Sequence, residues 1–290
     1  MVPLSGRAWL AKTKPKKSVG VVLIMLSFVH PNRIQRDIMI RSSMLRIAAV
    51  VLPMAVATQA ASAQKPALPA AASLVDKYAA AVGAPAILSA KAIVTKGGFS
   101  MPAAGMNATF EMTQLSPNLM NMVTTIPGMG AVQVGFDGTT AWAVDPMQGP
   151  RILAGKELDQ MKDDADRRAM VRHADMFTSL ETVSDTTMNS ERCYLVKLTW
   201  KSGRETSDCF SAASGLIIAS KSTQKTAMGD IPVVSLLSDY KKFGDITVAT
   251  KVVQELMGQQ QILTISTVEV SDGAGVTIAP PAAIQALVKK

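Results

Sequence analysis

Few residues in this chain are equipped for bond-making chemistry. It holds two histidines and two cysteines, and beyond the N-terminal leader described below only His173, Cys193 and Cys209 remain. A zinc or transition-metal site draws on several His, Cys, Asp or Glu ligands at set spacings. Neither cysteine has such a spacing, so no metal and no other cofactor is expected. Asp163, Asp164 and Asp166 make the densest acidic run, but it lacks the loop glycine and closing glutamate of a calcium loop. With Arg167, Arg168 and Arg172 beside it, the run reads as a solvated helix face with local ion pairs. A serine hydrolase would have to pair His173 with a distant serine, and no G-x-S-x-G elbow occurs. The chain therefore reads as a non-enzyme. The one covalent feature expected is a disulfide. Cys193 and Cys209 flank Trp200-Lys201-Ser202-Gly203-Arg204, a turn that would set them on adjacent antiparallel strands, and an even pair in an oxidising compartment is usually bonded.

The oxidising compartment follows from the N-terminus. Lys and Arg total 30 against 22 Asp and Glu, for a formal charge of +8. Residues 1–63 contain nine of the basic side chains and one acidic one, Asp37, which leaves 21 of each sign in the remainder. A charge confined to a leader reports on membrane targeting and removes the basic footprint that nucleic-acid binding needs. Arg41 and Arg46 precede an apolar run from Ile47 to Ala57, and Ala61-Ser62-Ala63 forms a small-x-small cleavage site, the pattern of a secretory signal. A second apolar run, Val19 to Val29, follows the Lys12 to Lys17 cluster, and both runs are shorter than the roughly 20 residues that span a bilayer. Two readings of the first 38 residues stay open: a gene-start artefact, with translation from Met39 or Met44, or a long leader acting as a signal anchor. Cleavage would leave Gln64 first. No cysteine near that site is available for lipid attachment, so the mature form is expected to be soluble and monomeric.

Positioning falls to the elements after the leader. Residues 64–72 are Ala/Pro-rich and read as a flexible lead-in, and residues 73–290 as one domain. Ser73 is placed to cap a helix from Leu74 toward Val82 that stops at Gly83. Period-2 strands follow: Ala108, Phe110 and Met112; Met120 and Met122; Val132, Val134 and Phe136; Trp142 and Val144. Lys156 to Val183 reads as one long amphipathic helix, with Leu158, Met161, Ala165, Ala169, Met170, His173, Phe177 and Leu180 on its packed face. Strands resume with Tyr194, Val196, Leu198 and Trp200, then Gly215 to Ala219 and Ile231 to Tyr240. Val248 to Met257 and Gln261 to Val270 form a hairpin turning at Gly258-Gln259. Pro280-Pro281 leads into a terminal helix, Ala282 to Val288. The fold class is mainly β with α: a long antiparallel sheet that must curl to bury one face.

Two segments carry a family resemblance. Asp137-Gly138-Thr139-Thr140-Ala141-Trp142-Ala143-Val144-Asp145-Pro146 is similar to a strand pair of the LolA-like periplasmic lipoprotein carriers (outer-membrane lipoprotein-sorting proteins), in which a D-G turn precedes Thr and Trp. Ser116-Pro117-Asn118-Leu119-Met120-Asn121-Met122 resembles that family's R-P-N-L-F-N-W segment, and Ile278-Ala279-Pro280-Pro281 is a weaker echo of its closing F-x-x-P. The resemblance implies an incomplete β-barrel covered by helices, whose apolar cavity receives the acyl chains of a lipoprotein or lipid. It also implies a periplasmic location, with an inner-membrane donor and an outer-membrane acceptor as protein partners. The chain departs from the pattern at Ser116, where the family's arginine, which helps hold the lid, would stand.

On this reading the candidate cavity residues are Phe110, Met112, Met120, Met122, Val134, Phe136, Trp142, Leu198 and Trp200, with Trp142 pointing to the concave face. Met101, Met106, Met112, Met120, Met122 and Met129 crowd one stretch, and methionine suits adaptable apolar surfaces. For each of these residues ordinary core packing is the alternative. The alternative for the whole chain is a non-enzymatic scaffold of an envelope complex that binds protein partners through a sheet edge or the central helix and takes no lipid.

Overall fold

The computed structural model describes residues 67–226 and 229–289. The leader, its cleavage site and the first residues of the lead-in lie outside the described residues. Helix α1, Ala71–Val82, buries Leu74, Val75, Tyr78 and Val82 on one stripe. It starts earlier than expected: Ala70 occupies the N-cap without a side-chain cap bond, and Ser73 falls inside the first turn. Gly83 ends it in the left-handed region at φ 80°. A Cβ there would lie 2.0 Å from the Asp245 carbonyl oxygen, so only glycine fits. A short helix α2, Ala84–Ser89, leads to the sheet.

The first half of the sheet is a meander of β1 Ala92–Met101, β2 Met106–Leu115, β3 Leu119–Ile126, β4 Gly130–Phe136, β5 Ala141–Asp145 and β6 Gly149–Leu153. Helices α3, Lys156–Ala165, and α4, Arg167–Met170, interrupt it. A second meander follows: β7 Phe177–Met188, β8 Glu191–Trp200, β9 Glu205–Ser211, β10 Ile217–Thr226, β11 Gly229–Phe243, β12 Ile246–Leu256 and β13 Gln259–Ser271. Helix α5, Ala282–Val288, packs against β6. Antiparallel pairing of β1 with β13 joins the two meanders into one 13-stranded sheet. Its two ends, β6 and β7, are not paired with each other. The barrel is therefore incomplete, as expected.

The continuous helix expected from Lys156 to Val183 is corrected. Asp166 adopts extended backbone (φ −77°, ψ 119°) and caps α4 through a bond from the Arg168 amide. Arg172 then takes φ 54°, and Phe177 begins β7. A β-bulge between Phe177 and Ser179 shifts the register of β7 against β8. Phe177 and Leu180, three apart, thereby both reach the core and reproduce a helical spacing within a strand.

The main core lies between α1, α2 and α4 and the second meander, centred on Val196, Leu198, Phe210, Ile217 and Ile246, each at most 1% exposed. Burying one such side chain contributes about 1.5–3 kcal/mol. Cys193 on β8 and Cys209 on β9 form the expected disulfide, with Cα atoms 5.5 Å apart. It sits on the opposite face of the sheet, among Ile218, Ala219 and Leu195.

Two tyrosines tie the core layers. Tyr78 donates to the Met170 carbonyl at 3.2 Å and Tyr240 to that of Ile217 at 2.6 Å. Burial pushes both phenols above their ordinary value of 10.0, while Arg172 pulls the other way. The folded state thus keeps these protons to higher pH than the unfolded chain. Their contribution is whole below about pH 10 and is lost as pH rises beyond it, at about 1.4 kcal/mol per pH unit for each tyrosine. Urea unfolding across this range is expected to show that decline, and Tyr240→Phe to remove one tyrosine's share of the slope. An unchanged slope in the variant would contradict the assignment.

Candidate functional site

The face of the sheet turned toward α3 and α4 is defined by register. In β2 to β5 the cross-strand partners Met112, Met122, Val134 and Ala143 share it, as do Met120, Phe136 and Ala141. In β8 to β10 it is shared by Val196, Asp208 and Ser220. Two adjoining cavities open on this face. The larger, about 440 Å³, has apolar walls from Phe99, Met122, Met170, Trp200, Val233 and Leu263. The smaller, about 200 Å³, lies under α3 and is lined by Met120, Met122, Val132, Val134, Leu153 and Met161. Met122, Gln160, Asp164 and Gln224 border both. Met122 on β3 and Trp200 on β8 are eight strand steps apart in the sheet order, about 38 Å in a flat sheet. They face one cavity because the sheet curls.

Met120, Met122, Val134 and Trp200 of the candidate residues line these cavities. Phe110 packs with Phe99 and Ala108, while Met112 bridges the clusters on either side of it. Phe136 and Leu198, at 1% and 0% exposure, are sealed in the core. Trp142 is a correction. It pairs across the sheet with Gly135 and Ile152, on the face opposite Ala141 and Ala143. Its indole lies over Gly135, where a Cβ would come within 2.3 Å of the ring. The side chain is fully buried away from the cavity.

Several neighbours hold Trp200 in place. Its indole donates to Thr206 Oγ1 at 3.0 Å, and Phe177 meets it edge-on at 4.8 Å. The Arg204 and Arg172 guanidinium groups stand 4.2 and 6.0 Å from its ring centroid. Arg172 Nε donates to Asp208 at 2.6 Å, and Ser220 Oγ donates to the other Asp208 oxygen at 2.6 Å. Burial opposes the Arg172 charge, but Asp208 outweighs it and holds the guanidinium pKa above its ordinary value.

Helix α3 straps the open side. Arg151 of β6 makes a two-pronged bond to Glu157 at 2.9 Å, the Lys225 amide of β10 donates to Gln160 at 2.9 Å, and Arg204 reaches Asp164 at 2.8 Å. Burial raises the Asp163 carboxyl, offset in part by the Ser202 hydroxyl that donates to it. Arg167 ties α4 to the start of the sheet. It reaches from α4 to the carbonyls of Ala90 and Lys91, and Lys91 also accepts the Ser116 amide. The acidic run is thus strap and cap.

A polar wall, absent from the sequence expectations, borders the same cavity as Met122 and Met170. Gln261, Gln254, Ser235, Ser220 and Asp208 are successive cross-strand partners from β13 to β9. A buried amide left unpaired costs about 1–3 kcal/mol, so such a row is an unusual lining for a purely hydrocarbon pocket. Among the described residues no group of three His, Cys, Asp or Glu is placed to hold a metal ion, and no helix is long and apolar enough to cross a membrane.

No family model matches the chain, and no curated protein matches it. Similar solved structures include the LolA superfamily protein NE2245 from Nitrosomonas europaea, at 12% identity and TM-score 0.48, covering 75% of this chain and 97% of that one. Another is a putative outer membrane lipoprotein-sorting protein domain from Vibrio parahaemolyticus, at 9% identity and TM-score 0.47, covering 76% and 100%. A DUF1329 family protein from Desulfovibrio piger, at 11% identity and TM-score 0.48, covers 71% and 95%.

Proposed function

We propose that this chain is a periplasmic carrier that seats the apolar chain of a lipoprotein or lipid between the curled sheet and α3, for transfer toward the outer membrane. The observation that supports it is the pair of adjoining cavities walled by Met120, Met122, Met161 and Met170. A volume of about 440 Å³ lies within the roughly 300–1,000 Å³ usual for small-ligand sites, and methionine adapts to chains of varied shape. Each methylene moved from water into such a site contributes about 0.8 kcal/mol before association entropy is subtracted. No bond is made or broken. The disulfide fits an oxidising compartment, and the strap of α3, held by a few polar contacts, is the element that would lift to admit cargo.

Native mass spectrometry of the protein recovered from a cell envelope, with extraction and identification of co-purifying molecules, tests this reading. A stoichiometric acylated species is expected. A clean mass of the chain alone, with no uptake of added lipid or lipoprotein, would instead favour the scaffold reading. That reading has one structural feature in its favour, the 12-residue edge strand β7, which has a neighbour on one side only.

A further inference from the structure

The polar wall narrows the class of cargo, an inference that rests on the carrier reading above. Inward-facing Gln254 and Gln261 stand directly opposite each other on β12 and β13, and Ser222 borders the same cavity. Gln254 spends one amide hydrogen on Ser235 at 3.3 Å. Gln261 is only 6% exposed and lines the cavity, and its side-chain amide makes no hydrogen bond to another described residue. A glutamine amide carries two donors and one acceptor oxygen. A bare hydrocarbon laid against this wall would strip its hydration and return no hydrogen bond. The charged groups of the cavity are already matched: Arg172 to Asp208, and Arg204 to Asp164. The positive charges are thus balanced, and the cavity offers no surplus positive charge to a phosphate or carboxylate.

We infer that the cavity takes an amphiphile with an uncharged head bearing several hydroxyl or amide groups, seated on Gln254, Gln261 and Ser222 while its apolar chain lies along Met122 and the space under α3. Both walls border one cavity, so head and chain are sorted in a single binding event. An anionic head would meet no uncompensated positive charge there.

The test uses three probes with the same twelve-carbon chain, each below its micelle concentration: dodecyl maltoside, lauric acid and dodecyltrimethylammonium. Binding to the full chain is measured by titration calorimetry. The maltoside is expected to bind about tenfold or more tightly than either charged probe, a gap of about 1.4 kcal/mol or more. Gln254→Met with Gln261→Met keeps volume and removes both amides, and should bring the maltoside-to-laurate affinity ratio close to one, with thermal melting confirming a folded chain. Equal binding of all three probes to the unaltered protein would overturn the inference and leave the carrier reading standing. Binding of none of them would overturn both. A ratio that survives the double substitution would also overturn the assignment to this wall.

Discussion

Trp200→Ala is expected to lower the unfolding free energy by about 3–5 kcal/mol, the usual cost of emptying a buried Trp site. The indole is 1% exposed, has two guanidinium groups at 4.2 and 6.0 Å from its ring centroid and packs against Phe177. Its loss would leave a cavity, an unpaired Thr206 hydroxyl and two arginines without the ring that orients them. Trp200→Phe keeps the packing and forfeits the hydrogen bond, so it should cost markedly less. Urea denaturation followed by far-UV circular dichroism distinguishes them. A loss below about 1 kcal/mol for the alanine variant would mean that the site collapses freely, contrary to the bracing described.

Asp208→Ala is the second large effect. Asp208 is completely buried and accepts from both Arg172 and Ser220 at 2.6 Å. Removing it leaves a guanidinium with little access to water and no counter-charge. Breaking a buried pair in this way costs about 3–5 kcal/mol. The Arg172 side chain keeps 20% exposure, which places the expected loss near about 3 kcal/mol. The double variant Asp208→Ala with Arg172→Met removes the stranded charge and should recover part of that loss. The same denaturation assay would show non-additivity between the two single variants; simple additivity would contradict the pairing.

These expectations rest on features of unequal visibility in the sequence. The Asp137-Gly138 turn, the turn after Trp200 that brings the cysteines together, and the β12–β13 hairpin were legible because turn residues and period-2 alternation act over a few residues. Strand β1 was not, since Gly97 and Gly98 interrupt its alternation and its pairing with β13 shifts register there. The end of the helical segment was hidden by a bulge that put Phe177 and Leu180 at helical spacing in a strand. The side taken by Trp142 could not be read from alternation. Ala141 and Trp142 are both fully buried, so burial marks both faces of β5 and periodicity cannot say which is inner. Gln254 and Gln261 occupy the phase of Leu256 and Leu263, but glutamine ordinarily signals solvent. Only the curling of the sheet turns them into a wall. Met120, Met122, Val134 and Trp200 line the cavities because each lies in the apolar phase of a strand; that Phe136 and Leu198 are sealed core depends on where α1, α3 and α4 lie across the sheet.

The two tryptophans among the described residues, Trp142 and Trp200, on opposite faces of the sheet, provide the most direct test of a cargo site on the inner face. In a chain carrying Trp9→Phe, fluorescence is measured while an alkyl maltoside brominated near the middle of its chain is added to Trp142→Phe and, separately, to Trp200→Phe. Bromine quenches on contact, so the account predicts strong, saturable quenching where Trp200 alone remains and none where Trp142 alone remains. Quenching of Trp142 alone, or of neither, would contradict the placement of cargo between the curled sheet and α3.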